Sequence, residues 1–207
     1  MKIVIDGFED LVIAEEDETL RQLLVQLDKW IRENNRVIVQ IKLEGRSLSE
    51  LDEKVVFDRK VGEFKTLELF TANLWQWAID SLEEIKVYLP EIAKKMEQVS
   101  LLIQQGDSKK AFSLLDRYIG LWERVNQTLR TIEKIFALDY NKIFLKKNGD
   151  SYNMEELVQL LEEAKRAIGD NDFLALADIL EYELAPRIRE KKKLVEEIIN
   201  TLKHQMN

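Results

Sequence analysis

The sequence predicts an α+β protein: a small strand-rich domain over residues 1–70, then an all-helical domain over residues 71–207. Three observations carry this. Before residue 70, apolar residues alternate at period two in short runs bounded by Asp6-Gly7 and Glu44-Gly45-Arg46, the pattern of strands ended by turns. From Trp75 onward, Ala78, Leu82, Ile85, Leu89, Ile92, Met96, Val99 and Ile103 recur at spacings of three and four, one face of a long helix. Gly106-Asp107-Ser108 then interrupts, and the spacing resumes with Ala111, Leu114, Tyr118, Leu121, Val125, Leu129, Ile132 and Phe136. So short a connection predicts an antiparallel hairpin with its two stripes facing.

Taken in order, Met1, Ile3 and Ile5 form a first strand, Asp6-Gly7 a hairpin turn, and Leu11 and Ile13 a second strand. Glu15 to Glu18 places acids where a helix N-terminus favours them. Leu20, Leu24, Leu27 and Ile31 mark a helix face, widened by Leu23 and Trp30. Val37, Val39, Ile41 and Leu43 alternate as a strand, residues 47–62 are irregular, and Leu67 and Leu69 share one face of a last strand. Ile3, Ile13, Leu24, Ile41 and Leu67 are expected to share one core.

Strand, hairpin, strand, helix, strand, irregular stretch, strand: this order resembles the ubiquitin-like β-grasp fold, most closely from Val39 through Gly45-Arg46-Ser47-Leu48 and Val55, Val56 and Val61 to Phe70. The resemblance covers the first third of the chain and implies a fold without an activity. Here the last strand runs through Thr71-Ala72-Asn73 into a helix, so conjugation through a free diglycine tail is not implied.

In the helical domain, Pro90 removes a backbone hydrogen bond and predicts a kink, or two helices meeting at Leu89. Asn148-Gly149-Asp150 is a turn. Met154, Leu157, Leu161, Ala164 and Ile168 mark a third helix ended by Gly169-Asp170-Asn171. A fourth, from about Asp172 to Lys203, carries Phe173, Leu176, Leu180, Leu184, Ile188, Val195, Ile198 and Leu202 and is interrupted by Pro186. Gly106-Asp107 and Gly169-Asp170 open similar stretches, the second one residue longer. Two hairpins built alike predict an antiparallel four-helix bundle.

Composition narrows the function classes. The chain is 45% hydrophobic and 34% charged with a net charge of −8, a folded acidic protein rather than a general nucleic-acid binder. It has no cysteine and one histidine, His204 near the end, which removes thiolate zinc sites, Glu-x-x-His di-iron sites and histidine triads. Neither a metal nor a cofactor is expected. Asp170-Asn171-Asp172 and Asp139-Tyr140-Asn141 begin like calcium loops, but apolar residues stand where ligands are required, so both read as helix caps. The apolar N-terminal run is too short for a signal peptide and no run approaches a membrane span; a cytoplasmic protein without membrane contact is expected.

With no catalytic constellation, the expectation is a non-catalytic protein-interaction or adaptor protein with a protein partner. In general character it resembles bacterial export and flagellar chaperones. The alternatives are an enzyme with a dispersed carboxylate site, or a structural homodimer. The candidate partner-binding residues are Trp77 and Trp122, which leave the apolar stripes, Tyr88 beside one, and Arg187, Arg189 and Lys192 in the densest basic run. For Trp77 the simpler reading is core packing. For the basic run it is a solvated turn paired with Glu181, Glu183, Glu196 and Glu197. Gly120, inside a helix, is read as a point of close helix approach.

Overall fold

A computed structural model describes residues 1–9, 14–15, 17–48, 53–143 and 154–206. Leu11, Ile13 and the Asn148-Gly149-Asp150 turn fall outside these. The fold is α+β, with a mixed five-stranded sheet at the N-terminus followed by long helices. Two compact units comprise Met1–Trp77 and Ala78–Asn207.

In the first unit, β1 (Lys2–Ile5), β2 (Phe8–Glu9), β3 (Arg36–Leu43), β4 (Arg46–Ser47) and β5 (Thr66–Asn73) lie in the order β2-β1-β5-β3-β4. Both hairpin turns follow from their dipeptides: Asp6 and Gly7, and Glu44 and Gly45, all have positive φ, as two-residue turns matching strand twist demand. β1 and β5 pair in parallel, placing Ile3 beside Leu67 and Ile5 beside Leu69. Helix α1 (Leu20–Glu33) lays Leu20, Leu23, Leu27 and Ile31 onto those residues, closing a core with Leu43, Leu48, Val61 and Phe64, and a one-turn helix α2 (Glu53–Val56) lies between β4 and β5.

Several expectations for this unit change. The acids of residues 15–18 precede α1, whose N-cap is Thr19 in a capping box with Gln22. Leu24 and Ile41 only partly bury against the core, and Trp30 is exposed. The alternation Val37, Val39, Ile41, Leu43 fails at Val39, which is 49% exposed. A register shift between Ile38 and Gln40 is the cause: a bulge moves each side chain beyond it to the opposite face. Ile38, not Val39, joins Ile41 and Leu43 at the core.

The second unit is built on α3 (Leu74–Gln104), capped by the Asn73 side chain, which accepts from Gln76 N–H at 3.0 Å. From Ala78 to Ile103 its predicted stripe is buried throughout. Helix α3 is one helix through Pro90, not two meeting at Leu89; Pro90 is exposed, so water can serve the carbonyl it leaves without a donor. Helix α4 (Ser108–Ile135) runs back along α3, with Tyr118 Oη donating to Glu91 Oε1 at 3.1 Å. Its buried face is Ala111, Leu115, Tyr118, Trp122, Val125, Leu129 and Ile132. Leu114 and Leu121, expected there, are half-buried.

Helix α5 (Met154–Gly169) packs on α6 (Phe173–Asp178) and on a π turn (Ile179–Leu184) that leads into α7 (Ala185–Met206). Of the predicted α5 positions, the side chains of Met154, Leu157 and Leu161 lie outside those described; Ala164 is buried with Leu160 and Ala167, and Ile168 is exposed. The segment α6–π–α7 runs antiparallel to α3: Ser100 Oγ donates to Glu181 Oε2 at 2.8 Å, Glu97 pairs with Arg189, and Glu83 with Lys203 at 3.6 Å.

The two connections are built alike, with a corrected register. Asp107 N–H bonds Leu102 O and Gly106 N–H bonds Ile103 O, while Asp172 N–H bonds Ala167 O and Asn171 N–H bonds Ile168 O. Gly106 (φ +80) and Asn171 (φ +57) take the left-handed position, and Asp107 and Asp172 cap the next helix. The counterpart of Gly106-Asp107 is therefore Asn171-Asp172, not Gly169-Asp170. Asp139 likewise caps Lys142 N–H.

Candidate functional site

Of the predicted partner-binding residues, the structure removes one outright. Trp122 is 4% exposed and part of the core. Trp77, Tyr88, Arg187 and Lys192 are half-buried, and Arg189 is exposed. Arg187 pairs with Glu183 at 3.7 Å and Arg189 with Glu97, so these two residues of the basic run face acids of their own unit. These residues do not converge on one site.

Inside the basic run lies a residue the sequence reading passed over. Lys191 is 2% exposed. Its Nζ stands 4.6 Å from the Trp122 ring centroid and donates to Asn126 Oδ1 at 2.5 Å, and Asn126 Nδ2 donates to Trp122 O at 2.9 Å. Burial, with the Arg130 charge second, pushes the Lys191 ammonium down to about 7. Trp122 Nε1 is buried without a hydrogen-bond partner among the described residues. A signal for Lys191 existed: Ile188 and Val195 leave a gap of seven in the stripe, and Lys191 sits three past one and four before the other. The cluster joins α4 to α7 through Trp122, Asn126 and Lys191.

The surface feature is the π turn. Ala185 N–H bonds Leu180 O, five residues back, immediately before Pro186, which has no N–H to give. In an α-helix a step of four residues overshoots one turn by about 40°; a wider turn absorbs that overshoot. Leu176, Leu180, Leu184 and Ile188 are thereby all buried at strict intervals of four. On the other side, Leu174, Asp178 and Tyr182 stand in one line, Leu174 at 71% and Tyr182 at 65% exposure. The Asp178 and Glu181 carboxylates both act on the Tyr182 hydroxyl, Glu181 more strongly, and push it above its usual range. π turns of this kind cost ladder hydrogen-bond geometry and concentrate at functional sites. The line Leu174–Asp178–Tyr182 is the candidate site; the strict four-residue repeat was its sequence signal.

Among the described residues no group of three or more acids or histidines is gathered as a metal site, and no helix is long and apolar enough to cross a membrane.

Comparison with known proteins places this segment within a family. A model described as a domain of unknown function (DUF8042) matches residues 80–194, more than half of the chain. The chain belongs to the DUF8042 family. A second model, the TP0873 N-terminal domain, matches residues 1–73. An uncharacterized protein of Treponema pallidum (strain Nichols) is 23% identical over 190 residues, covering 92% of this chain and 94% of its own length. No solved structure matches. The matched region 80–194 contains both the Lys191 cluster and the π turn.

Proposed function

We propose that this protein is a non-catalytic interaction protein whose helical unit docks a protein partner on the outer line of α6 and the π turn. The carrying observation is the exposure of Leu174 and Tyr182 along one line of a helix whose ladder is widened there. An exposed tyrosine with a leucine beside it is the side-chain type that anchors interfaces. The architectural reading behind it is a ubiquitin-like β-grasp unit followed by a four-helix bundle. A helix crossing a mixed sheet with parallel first and last strands supports the former. The four helical segments with matched connections support the latter.

An enzyme with a dispersed carboxylate site would want carboxylates raised toward neutrality. Among the described residues the displaced ones go the other way: Asp6, Asp17, Glu44, Glu63, Glu83, Asp107 and Asp139 are each held below the usual range by hydrogen bonds from nearby donors.

The test compares two double variants of the full chain as bait in cells of the source organism. Leu174→Ser with Tyr182→Ser is expected to lose a partner held by wild type, with an unchanged thermal midpoint. Val87→Ser with Leu101→Ser, also exposed but on α3, is expected to keep it. Equal capture by both variants would remove the site.

A further inference from the structure

The chemistry along the π turn also indicates what kind of partner segment fits. Between Asp170 and Pro186 the chain carries Asp170, Asp172, Asp178, Glu181 and Glu183 and no lysine or arginine. Two of these are engaged: Asp172 caps α6, and Glu181 accepts from Ser100. Glu183 pairs with the half-buried Arg187 at 3.7 Å. Asp178 is exposed and lies between Leu174 and Tyr182 on the outer line.

The line is therefore apolar, acidic, apolar at intervals of four residues. Residues four apart on a helix form a row that packs against the i, i+4 rows of a partner helix. We propose that the Leu174–Asp178–Tyr182 line binds an amphipathic helix of a partner protein that presents a lysine or arginine between two apolar residues at the same spacing. Apolar contacts at the two ends exclude water from the central pair, which makes the charge match matter more than at an open surface. This inference rests on the docking reading above and adds the sign of the partner's charge. It also predicts that the acidic segment rejects helices carrying glutamate at that position, since like charges facing one another in a partly dried contact select against the wrong partner.

The probe is a synthetic amphipathic helical peptide with leucine, lysine and leucine at successive four-residue intervals, and its twin with glutamate in place of the central lysine. Binding of each to the full-length protein is read by fluorescence anisotropy. The lysine peptide is expected to bind at least about tenfold more tightly than the glutamate twin, with the margin shrinking as salt rises. In the Asp178→Lys variant the preference is expected to reverse. Leu174→Ser and Tyr182→Ser are expected to weaken both peptides, and all three positions are exposed, so circular dichroism melts should match wild type. If the serine variants lose binding while Asp178→Lys leaves the preference unchanged, the charge inference is overturned and the docking site stands. If none of the substitutions alters binding, both are overturned. If light scattering shows wild type dimerising and Leu174→Ser monomeric, the occupant is a second copy of this chain, and the proposed partner class is wrong.

Discussion

The Lys191 ammonium stands over the face of Trp122, 4.6 Å from the ring centroid, in a place where neither side chain meets solvent. The ring face offers the charge a favourable quadrupole, and Asn126 Oδ1 accepts one of its protons. Burial nevertheless dominates, and the folded amine titrates near 7 while an unfolded lysine titrates near ~10.4. Between those values the unfolded chain holds a proton that the folded chain has released, so stability rises with pH across that window. Below about 7 both states are protonated and the penalty is constant. Urea midpoints of wild type and Lys191→Met, measured from pH 6 to pH 10 on the scale of that window, are expected to converge as pH rises from neutral. Parallel curves would mean the amine is charged in the folded state throughout.

In the first unit Asp6 ties three strands together. Its carboxylate accepts from Thr71 N–H at 2.7 Å, Thr71 Oγ1 at 2.6 Å and Arg36 at 3.1 Å. Burial pushes its pKa up, but the Thr71 hydrogen bonds and the Arg36 guanidinium together outweigh it and hold Asp6 below its usual range. A lowered carboxylate contributes stability above its unfolded value, near ~4, and loses it as pH falls through the folded value. Asp6 also has φ +51, which asparagine tolerates. Asp6→Asn therefore isolates the charge from the turn. The expected loss is on the order of 1 kcal/mol at neutral pH, vanishing in acid. A loss that persists unchanged in acid would assign Asp6 to the turn geometry alone.

Gly120 offers a stabilising change. A Cβ built there meets nothing within 4 Å, so the close helix approach expected from sequence is absent. Gly120 also has no positive φ to preserve. Gly120→Ala is expected to raise stability by roughly 0.5–1 kcal/mol, the helical difference between the two residues, seen as a higher thermal midpoint. A lower midpoint would show that the space is needed.

Much of the architecture is local enough to be legible in sequence. The α3 stripe from Ala78 to Ile103 is read correctly because a 31-residue helix repeats its period often enough to fix its phase. The Asp6-Gly7 turn is legible because Asp-Gly favours positive φ at both positions, whereas the Glu44-Gly45 turn, expected to extend over Gly45-Arg46-Ser47-Leu48, is shorter because Arg46–Ser47 pairs as β4. Thr19 is less conspicuous as the cap because the acids before it carry the charge, while the capping box depends on Gln22 three residues on.

What only the tertiary structure decides is phase after a local defect, and the fate of single polar residues. The bulge between Ile38 and Gln40 displaces the side chains of β3 relative to a regular ladder. An alternating pattern does not record such a displacement until the opposing surface selects one face, whereas the π turn before Pro186 leaves a strict four-residue repeat. Lys191 shows the same limit from the other side. By composition it belongs to a solvated basic turn, and its place inside is set by Trp122 and Asn126, more than sixty residues away in sequence. Hydropathy is a property of each residue alone, whereas burial belongs to the pair of surfaces that meet.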